Sequence, residues 1–500
     1  MTRRSSFIIS MRIIVPALLN FVAGTFVHAQ ESWDAHYLGG SKIGYTHTFV
    51  EKVKDPGTGT EYLRVRIDLE LRTMRDKDVS VSKMQYGTIE KPDGEVLRLD
   101  TRTLTGEDND IRAHGDVKGG KMIFKLDGNG EHQELKIPWG PEVRGPYAPE
   151  QSMARKPMTA DEKRALRMYI PDLNKIADIT LSSRGIEAVI MGDGSKRSLL
   201  RVDQTTKVEG KARPEFNNTM WVDSGGQVLK AEQDALGKIV TFRTTKEAAL
   251  APGGPVQFNL ITNTVIKTPR LIPNAEKTRL VKYRLTFDGG DIADAIPTDA
   301  RQTIQKEDGQ KSAILTVIGV GPLDGQAGTA EVEAQYLKSN VLITSQDSRV
   351  RSLAQRVTRG IADPWTKAQR MNRWVYQNIR DQNFRIGFAG ASEVARNLSG
   401  DCSEHAVLMA AMCRASGIPA RVVVGIVYVE HLQGFGFHMW DEVYINQRWV
   451  AVDPTWDETT VDATHIKLSE SSLEGVAPFE AFLPVLKVFG KLQIEPLELR

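Results

Sequence analysis

The hydrophobic period of this chain changes once, near residue 346, and the change limits the folds that are open to it. Before that point apolar residues recur at every second position, most clearly over 63–71, where apolar and charged residues alternate without a break. Such alternation is typical of a half-buried antiparallel strand. Beyond residue 346 the apolar residues follow helical spacing, as in Val350, Leu353, Ala354 and Val357. The sequence therefore predicts a multidomain protein: β-rich N-terminal modules followed by an α+β domain.

Turn and linker signals divide the first two-thirds of the chain. Gly- and Pro-containing turns recur at short spacing through residues 30–252, which we predict to be a β-rich N-terminal module. Within it, two helices are expected, at Ala160 to Tyr169 and near Thr244 to Ala249. The run 251–255 reads Ala-Pro-Gly-Gly-Pro and is typical of a linker.

Two further strands are expected beyond the linker. The runs 280–287 and 312–317 are rich in apolar and β-branched residues. They predict a small β-sandwich-like module over 256–340. The remaining domain is expected to span 346–500.

The first 29 residues have the pattern of a secretory signal peptide. Arg3, Arg4 and Arg12 supply its positive charge, the run 13–26 is apolar, and Val27-His28-Ala29 offers a small-residue cleavage site. An uncleaved membrane anchor is the alternative. We expect the protein to be exported, periplasmic or secreted, with no stable membrane span after cleavage.

The charge balance indicates which partners to expect. The formal net charge is +2, and without the three arginines of 1–29 the 62 basic residues nearly equal the 63 acidic ones. Binding to nucleic acid or to an anionic membrane surface normally needs a basic excess. We therefore expect no nucleic-acid partner.

The chain has two cysteines, Cys402 and Cys413, eleven residues apart in one expected helix. A rise of 1.5 Å per residue separates them by about 16 Å, which is too far for a disulfide. Cys413 is expected to be a core thiol. Cys402 is then a free thiol in an exported protein, which favours a reactive role.

A thiol, an imidazole and a carboxylate follow one another near the C-terminus. Cys402 follows Ser399-Gly400-Asp401 and begins a helix that is apolar nearly all round. His438 and Asp453 lie on the two arms of a predicted hairpin that turns at Asn446-Gln447. A two-residue turn places Asp453 diagonal to His438 on one sheet face. Cys402 as nucleophile, His438 as base and Asp453 as orienting acid form the constellation of a cysteine nucleophile.

Other interpretations of these residues are open. Each could be structural: a packed thiol, a histidine in a sheet, a turn aspartate. A metal site built from Cys402, Glu404, His405 and His438 lacks the usual ligand spacings, so we expect no metal and no other cofactor. Asp401, Glu404, His405 and Trp440 are expected to have supporting roles at most.

Four motifs in this region resemble those of the transglutaminase-like superfamily, and together they cover about 346–460. They are Gly-Asp-Cys-Ser-Glu-His-Ala at 400–406, Arg-Ala-Ser-Gly-Ile-Pro-Ala-Arg at 414–421, His-Met-Trp-Asp-Glu-Val at 438–443, and Trp-Val-Ala-Val-Asp-Pro-Thr at 449–455. The resemblance implies a papain-like α+β fold with a Cys402–His438–Asp453 triad. It also implies accessory β-rich modules in exported bacterial members.

The expected function follows from that resemblance. A thiol-dependent acyl-transfer enzyme would attack a peptide or carboxamide bond in a peptide or protein substrate, most simply as a cysteine peptidase or amidase. The alternatives are a protein-glutamine transglutaminase and a non-catalytic scaffold with a vestigial triad. The partner of the β-rich modules is unknown.

Overall fold

The computed structural model describes residues 30–75, 78–105, 109–234, 237–254, 264–307, 311–322, 332–380, 388–475 and 480–500. The predicted signal peptide, 1–29, lies outside the described residues, as does Pro255 of the predicted linker. Among the helices described, none combines the length and the apolar character needed to cross a membrane.

Sixteen strands of the N-terminal module form one sheet. Strands β1 to β8 are successive antiparallel neighbours, and β16 pairs with β1 on its other side. From β16 the sheet continues in the order β15, β14, β12, β11, β10, β9, and β13 lies beside β12. The strands are β1 Gln30–Leu38, β2 Ser41–Lys54, β3 Glu61–Arg75, β4 Asp78–Glu90, β5 Val96–Thr105, β6 Asn109–Lys118, β7 Lys121–Gly128, β8 Glu131–Pro138, β9 Val143–Arg144, β10 Lys163–Ile170, β11 Lys175–Ile190, β12 Lys196–Val208, β13 Lys211–Ala212, β14 Asn218–Val222, β15 Val228–Gln233 and β16 Ile239–Thr244.

Two helices accompany this sheet, α1 Ala148–Arg155 and α2 Lys246–Leu250. The second confirms the helix expected near Thr244 to Ala249, with Thr245 as its N-cap. The helix expected at Ala160 to Tyr169 was wrong, because most of this run is strand β10, paired antiparallel with β11 over eight residue pairs. Its helix-forming residues are overridden by pairing with β11, a common outcome for a weak local propensity.

The rest of the chain supplies nine strands and five helices to the described residues. The strands are β17 Ile266–Lys267, β18 Leu280–Phe287, β19 Gln302–Lys306, β20 Ser312–Ile318, β21 Ala420–Val429, β22 Gly434–Ile445, β23 Arg448–Val452, β24 His465–Ser471 and β25 Leu492–Leu499. The helices are α3 Ser348–Val357, α4 Pro364–Asn378, α5 Ala391–Asn397, α6 Cys402–Ala415 and α7 Leu483–Val488.

The region 256–340 differs from the separate β-sandwich that we expected. The strands expected at 280–287 and 312–317 are present as β18 and β20, but their sheet runs β19-β20-β18-β25 and so includes the last strand of the chain. The buried residues of β18 and β20 also belong to the same core as helix α6 and strand β21. A domain boundary near residue 340 would therefore divide one sheet and one hydrophobic core.

The C-terminal region has helix α6 packed on a five-stranded sheet. That sheet runs β17-β22-β21-β24, with β23 beside β22, so β21 is a central strand, which agrees with the burial of nearly all its residues. Helices α3, α4 and α5 surround α6 on its other sides. Burial on all sides explains why α6 is apolar nearly all round, and it fixes the first turn of this helix in place.

Candidate active site

Cys402 is the first residue of α6, and a capping box formed by Asp401 and Glu404 stabilises the start of this helix. Asp401 Oδ1 accepts hydrogen bonds from the Ser403 backbone N–H at 2.8 Å and from its hydroxyl at 2.6 Å. Glu404 completes the capping box by accepting the Asp401 N–H at 2.9 Å. The thiol of Cys402 is partly exposed, whereas every residue from Ser403 to Arg414 is buried. The partial positive charge of a helix N-terminus favours a thiolate at this position.

Glu404 also ties this helix end to the N-terminal sheet. Its Oε1 accepts the Ala389 N–H at 2.9 Å, and the neighbouring Phe388 carbonyl accepts hydrogen bonds from the Thr105 hydroxyl at 2.8 Å and the Asn109 amide at 2.7 Å. Burial, and then the adjacent Asp401, raise the pKa of Glu404 well above its ordinary value. A chain of buried hydrogen bonds thus runs from strands β5 and β6 through Glu404 to Asp401, the residue before Cys402.

The hairpin places Asp453 against His438. Asn446 and Gln447 both have positive φ, 50° and 61°, as a two-residue hairpin turn of this type requires, and the register from Ile445↔Arg448 to Asp441↔Val452 is the one predicted. The same register, if continued, predicts that His438 pairs with Thr455, and this was wrong, because the pairing ends at Val452 and Asp453 bridges to Glu458 instead. The imidazole and carboxylate still meet.

His438 lies between Cys402 and Asp453. Its Nε2 is 2.7 Å from Asp453 Oδ2, and the Cys402 side chain is close enough to raise the pKa of the imidazole. Because Asp453 takes Nε2, Nδ1 is the nitrogen that remains for the thiol. The other carboxylate oxygen, Oδ1, accepts the Thr455 N–H at 2.7 Å, which fixes the orientation of Asp453.

The electrostatics of this trio favour a charged imidazole. Burial alone would lower the pKa of His438, but the Asp453 carboxylate and the Cys402 thiol raise it from 6.5 to about 9. Burial would likewise raise the pKa of Asp453, yet His438 holds it well below its ordinary value. An imidazolium beside Cys402 favours the thiolate, which is the nucleophilic form of cysteine.

Two tryptophans flank the imidazole. Trp456 stacks on it with ring centroids 4.8 Å apart and planes 14° apart, and is 41% exposed. Trp440 lies 6.0 Å away in a nearly parallel plane and is fully buried. Trp456 therefore forms the solvent side of the site, and Trp440 the protein side.

Three residues of this site were not predicted from the sequence: His465, Asp462 and Trp456. His465 Nε2 lies 3.3 Å from Asp453 Oδ2, and its Nδ1 lies 3.2 Å from Asp462 Oδ1. The carboxylate of Asp453 is thus shared by two imidazoles. His465 begins strand β24, which pairs with β21, and no local spacing in the sequence connects it to Asp453. Trp456 could have been found, since it follows the fourth motif directly.

The residues considered as a metal set have other partners. Glu404 caps α6, and His405 Nδ1 is 2.7 Å from the Asp401 carbonyl. Two groups of acids and imidazoles have ligand atoms within 4.8 Å of one another: His438, Asp453 and His465, and Glu458, Asp462 and His465. Since Asp453 and Asp462 already lie within hydrogen-bond distance of the imidazoles in these groups, we assign no ion to them.

Comparison with known proteins finds a similarity in the same part of the chain. The family model described as the transglutaminase-like superfamily matches residues 351–454. These residues form a transglutaminase-like domain, and the chain joins it to a large β-rich N-terminal region.

Similar proteins are known in sequence and in structure. Kyphoscoliosis peptidase of Mus musculus is 30% identical over 89 residues, which are 16% of this chain and 13% of the relative, and its Homo sapiens counterpart is 29% identical. The chain thus spans about an eighth of the relatives' length. A protein of Cytophaga hutchinsonii, described as a candidate cysteine protease, is 16% identical, with coverage of 45% of this chain and 89% of that one and a TM-score of 0.29. The periplasmic domain of TgpA from Pseudomonas aeruginosa is 15% identical, with coverage of 37% and 92% and a TM-score of 0.24.

Proposed function

We propose that this protein is an exported cysteine peptidase or amidase that uses Cys402 as nucleophile, His438 as general acid and base, and Asp453 as the orienting acid. The observation that carries the proposal is a single buried imidazole that lies 2.7 Å from Asp453 and close enough to Cys402, at a helix N-terminus, for that side chain to raise its pKa. This is the arrangement that a thiolate–imidazolium pair requires. The transglutaminase-like domain at 351–454 supports the same class of chemistry.

The proposed reaction has two steps. The Cys402 thiolate attacks the carbonyl carbon of a peptide or carboxamide, and His438 gives its proton to the leaving amine as the C–N bond breaks. A water molecule then loses a proton to His438 and attacks the thioester, which releases a carboxylic acid and restores the thiol. The Cys402 backbone N–H, which has no acceptor within its own helix turn, would stabilise the oxyanion in both steps.

Exposure of the site favours hydrolysis over transfer to an amine. Cys402 is partly exposed, and Trp456, which covers one face of His438, is itself 41% exposed. Water therefore reaches the position where the thioester would form. A protein-glutamine transglutaminase would have to exclude that water while it admits an amine.

The test uses the mature protein and its Cys402→Ala variant. Both are incubated with a mixture of unstructured proteins and glutamine-containing peptides, with and without a fluorescent primary amine. Mass spectrometry then counts new termini, deamidated glutamines and amine adducts. We expect new termini or deamidation that depend on Cys402, with little adduct even at millimolar amine.

Each other result identifies an alternative. Adducts in excess of hydrolysis would establish a transglutaminase. Retention of any observed turnover by Cys402→Ala would overturn the proposed nucleophile. If the wild-type protein shows no turnover and its Cys402 alkylates no faster than a free cysteine peptide at pH 7, the protein is a scaffold. Export is tested separately, by the N-terminal sequence and compartment of the protein made with residues 1–29 in a Gram-negative host.

A further inference from the structure

We propose that His465 is a positioning residue that carries a positive charge beside Asp453 at neutral pH and so limits the basicity of His438. This inference rests on the proposed function and names a further residue of the same site. It concerns a group that lies outside the transglutaminase-like match at 351–454.

The position of His465 is fixed by two carboxylates. Its Nε2 lies 3.3 Å from Asp453 Oδ2, the same oxygen that contacts His438 Nε2 at 2.7 Å. Its Nδ1 lies 3.2 Å from Asp462 Oδ1. The imidazole is completely buried, and so is the carboxylate of its neighbour Asp453.

The hydrogen bonds determine the protonation state of His465. Asp462 Oδ1 already accepts the Thr464 backbone N–H and hydroxyl, each at 2.6 Å, which stabilises its ionised form. His438 does the same for Asp453. Since an ionised carboxylate only accepts, both ring nitrogens of His465 must donate, and an imidazole with two N–H groups is an imidazolium. The pKa of His465 agrees with this assignment. Burial alone would lower that pKa, but the contacts with Asp453 and Asp462 raise it to about 9.

Charged and titratable groups from three elements surround the His465 imidazolium. The loop after β23 supplies Asp453, Glu458 and Asp462, and burial raises the pKa of Glu458 to about 7, so Glu458 is partly neutral near neutral pH. Strand β22 adds His438 and Asp441, and burial followed by Asp453 raises the pKa of Asp441 well above its ordinary value. Helix α6 contributes His405 near Asp453, and burial lowers the pKa of His405.

The consequence for His438 is a competition for one oxygen. The two imidazole rings have centroids 5.7 Å apart. A fixed positive charge at that distance disfavours protonation of His438, and the second donor draws part of the Asp453 charge away from it. His465 thus keeps His438 able to release its proton to the leaving amine, a step that an excessively basic imidazole would slow.

The experiment measures His438 directly by NMR titration of its ring protons and carbons. It uses Cys402→Ala as the background, which removes the thiol and any need for turnover, and compares it with the same protein carrying His465→Gln or Asp462→Asn. Gln retains one N–H that can donate to Asp453 but carries no charge. His431→Gln, on an exposed histidine outside the site, is the matched control.

In His465→Gln, loss of a like charge 5.7 Å away should raise the midpoint of His438 by about one pH unit. Asp462→Asn, which removes one of the negative charges that stabilise the imidazolium, should move the midpoint of His438 in the same direction and less. An unchanged or lower midpoint in folded His465→Gln, as judged by thermal unfolding, overturns the inference; if that variant does not fold, an unchanged midpoint in Asp462→Asn does so. The proposed function fails independently, through the alkylation and turnover tests on the protein with Cys402 intact.

Discussion

Replacement of Asp453 by Asn should remove most of the reactivity of Cys402 at neutral pH. The substitution preserves the shape of the side chain and the acceptor for the Thr455 N–H, but it removes the charge 2.7 Å from His438 Nε2. Since burial disfavours a charged imidazole, His438 would then be mainly neutral at neutral pH.

The size of the effect follows from the pKa of His438. In water an ordinary imidazole has a pKa of about 6.5, so only about a quarter of it is charged at pH 7. The rise of the His438 pKa from 6.5 to about 9 favours the imidazolium by about 3 kcal/mol, so nearly all of His438 is charged at pH 7. Without Asp453 the pKa of the buried imidazole falls to its ordinary value or below, so at most about a quarter stays charged and alkylation at pH 7 should slow by about 4-fold or more.

The assay is the rate of iodoacetamide alkylation from pH 4 to 10, with mass spectrometry to locate the adduct. Cys413 is an internal control, because it is fully buried and burial raises the pKa of its thiol. Asp288→Asn, on an exposed carboxylate outside the site, controls for the substitution itself. If folded Asp453→Asn alkylates at the wild-type rate at pH 7, Asp453 does not set the charge of His438, and the proposed role is refuted.

Three further substitutions test the structure around the site. Gln447→Gly, at a turn position with φ of 61°, should stabilise the protein by about 0.5–1 kcal/mol in urea unfolding, and a loss of stability would contradict the turn conformation. Asp441 is fully buried, without a hydrogen-bond partner for either carboxylate oxygen among the described residues, and burial followed by Asp453 raises its pKa. A raised folded-state pKa means that stability is lost as pH rises above the unfolded value near 4, so Asp441→Leu should gain about 1–3 kcal/mol at pH 8 and less at pH 5; equal gains at both would refute this. Asn109→Ala, which removes a bond to the Phe388 carbonyl, should cost about 1–2 kcal/mol and lower the alkylation rate of Cys402, whereas an unchanged rate would show that the N-terminal sheet does not position the nucleophile.

Much of the site could be predicted from the sequence because its parts are local. The capped start of α6 is contained in residues 399–404, and the hairpin register is contained in the two-residue turn at Asn446-Gln447. Both depend on patterns a few residues long. The catalytic roles of Cys402, His438 and Asp453 stay predictions until they are tested by substitution.

The helix expected at Ala160 to Tyr169 shows the opposite case. Its residues favour a helix in isolation, but strand β11 offers eight pairing partners, and pairing decided the structure. Likewise, the expected boundary near residue 340 followed a local change in pattern, whereas β25, more than 150 residues further on, completes the sheet of β18.

The sequence by itself determined which segments alternate, which are amphipathic, and where a thiol, an imidazole and a carboxylate stand relative to a helix start and a turn. Only the tertiary structure decided that β16 closes beside β1, that β25 joins β18, and that His465 meets Asp453. The physical reason is that local patterns record which face of a segment is buried, through side-chain periods of 2 and 3.6. They do not record which distant segment covers that face, because any partner of suitable shape and polarity satisfies the same pattern.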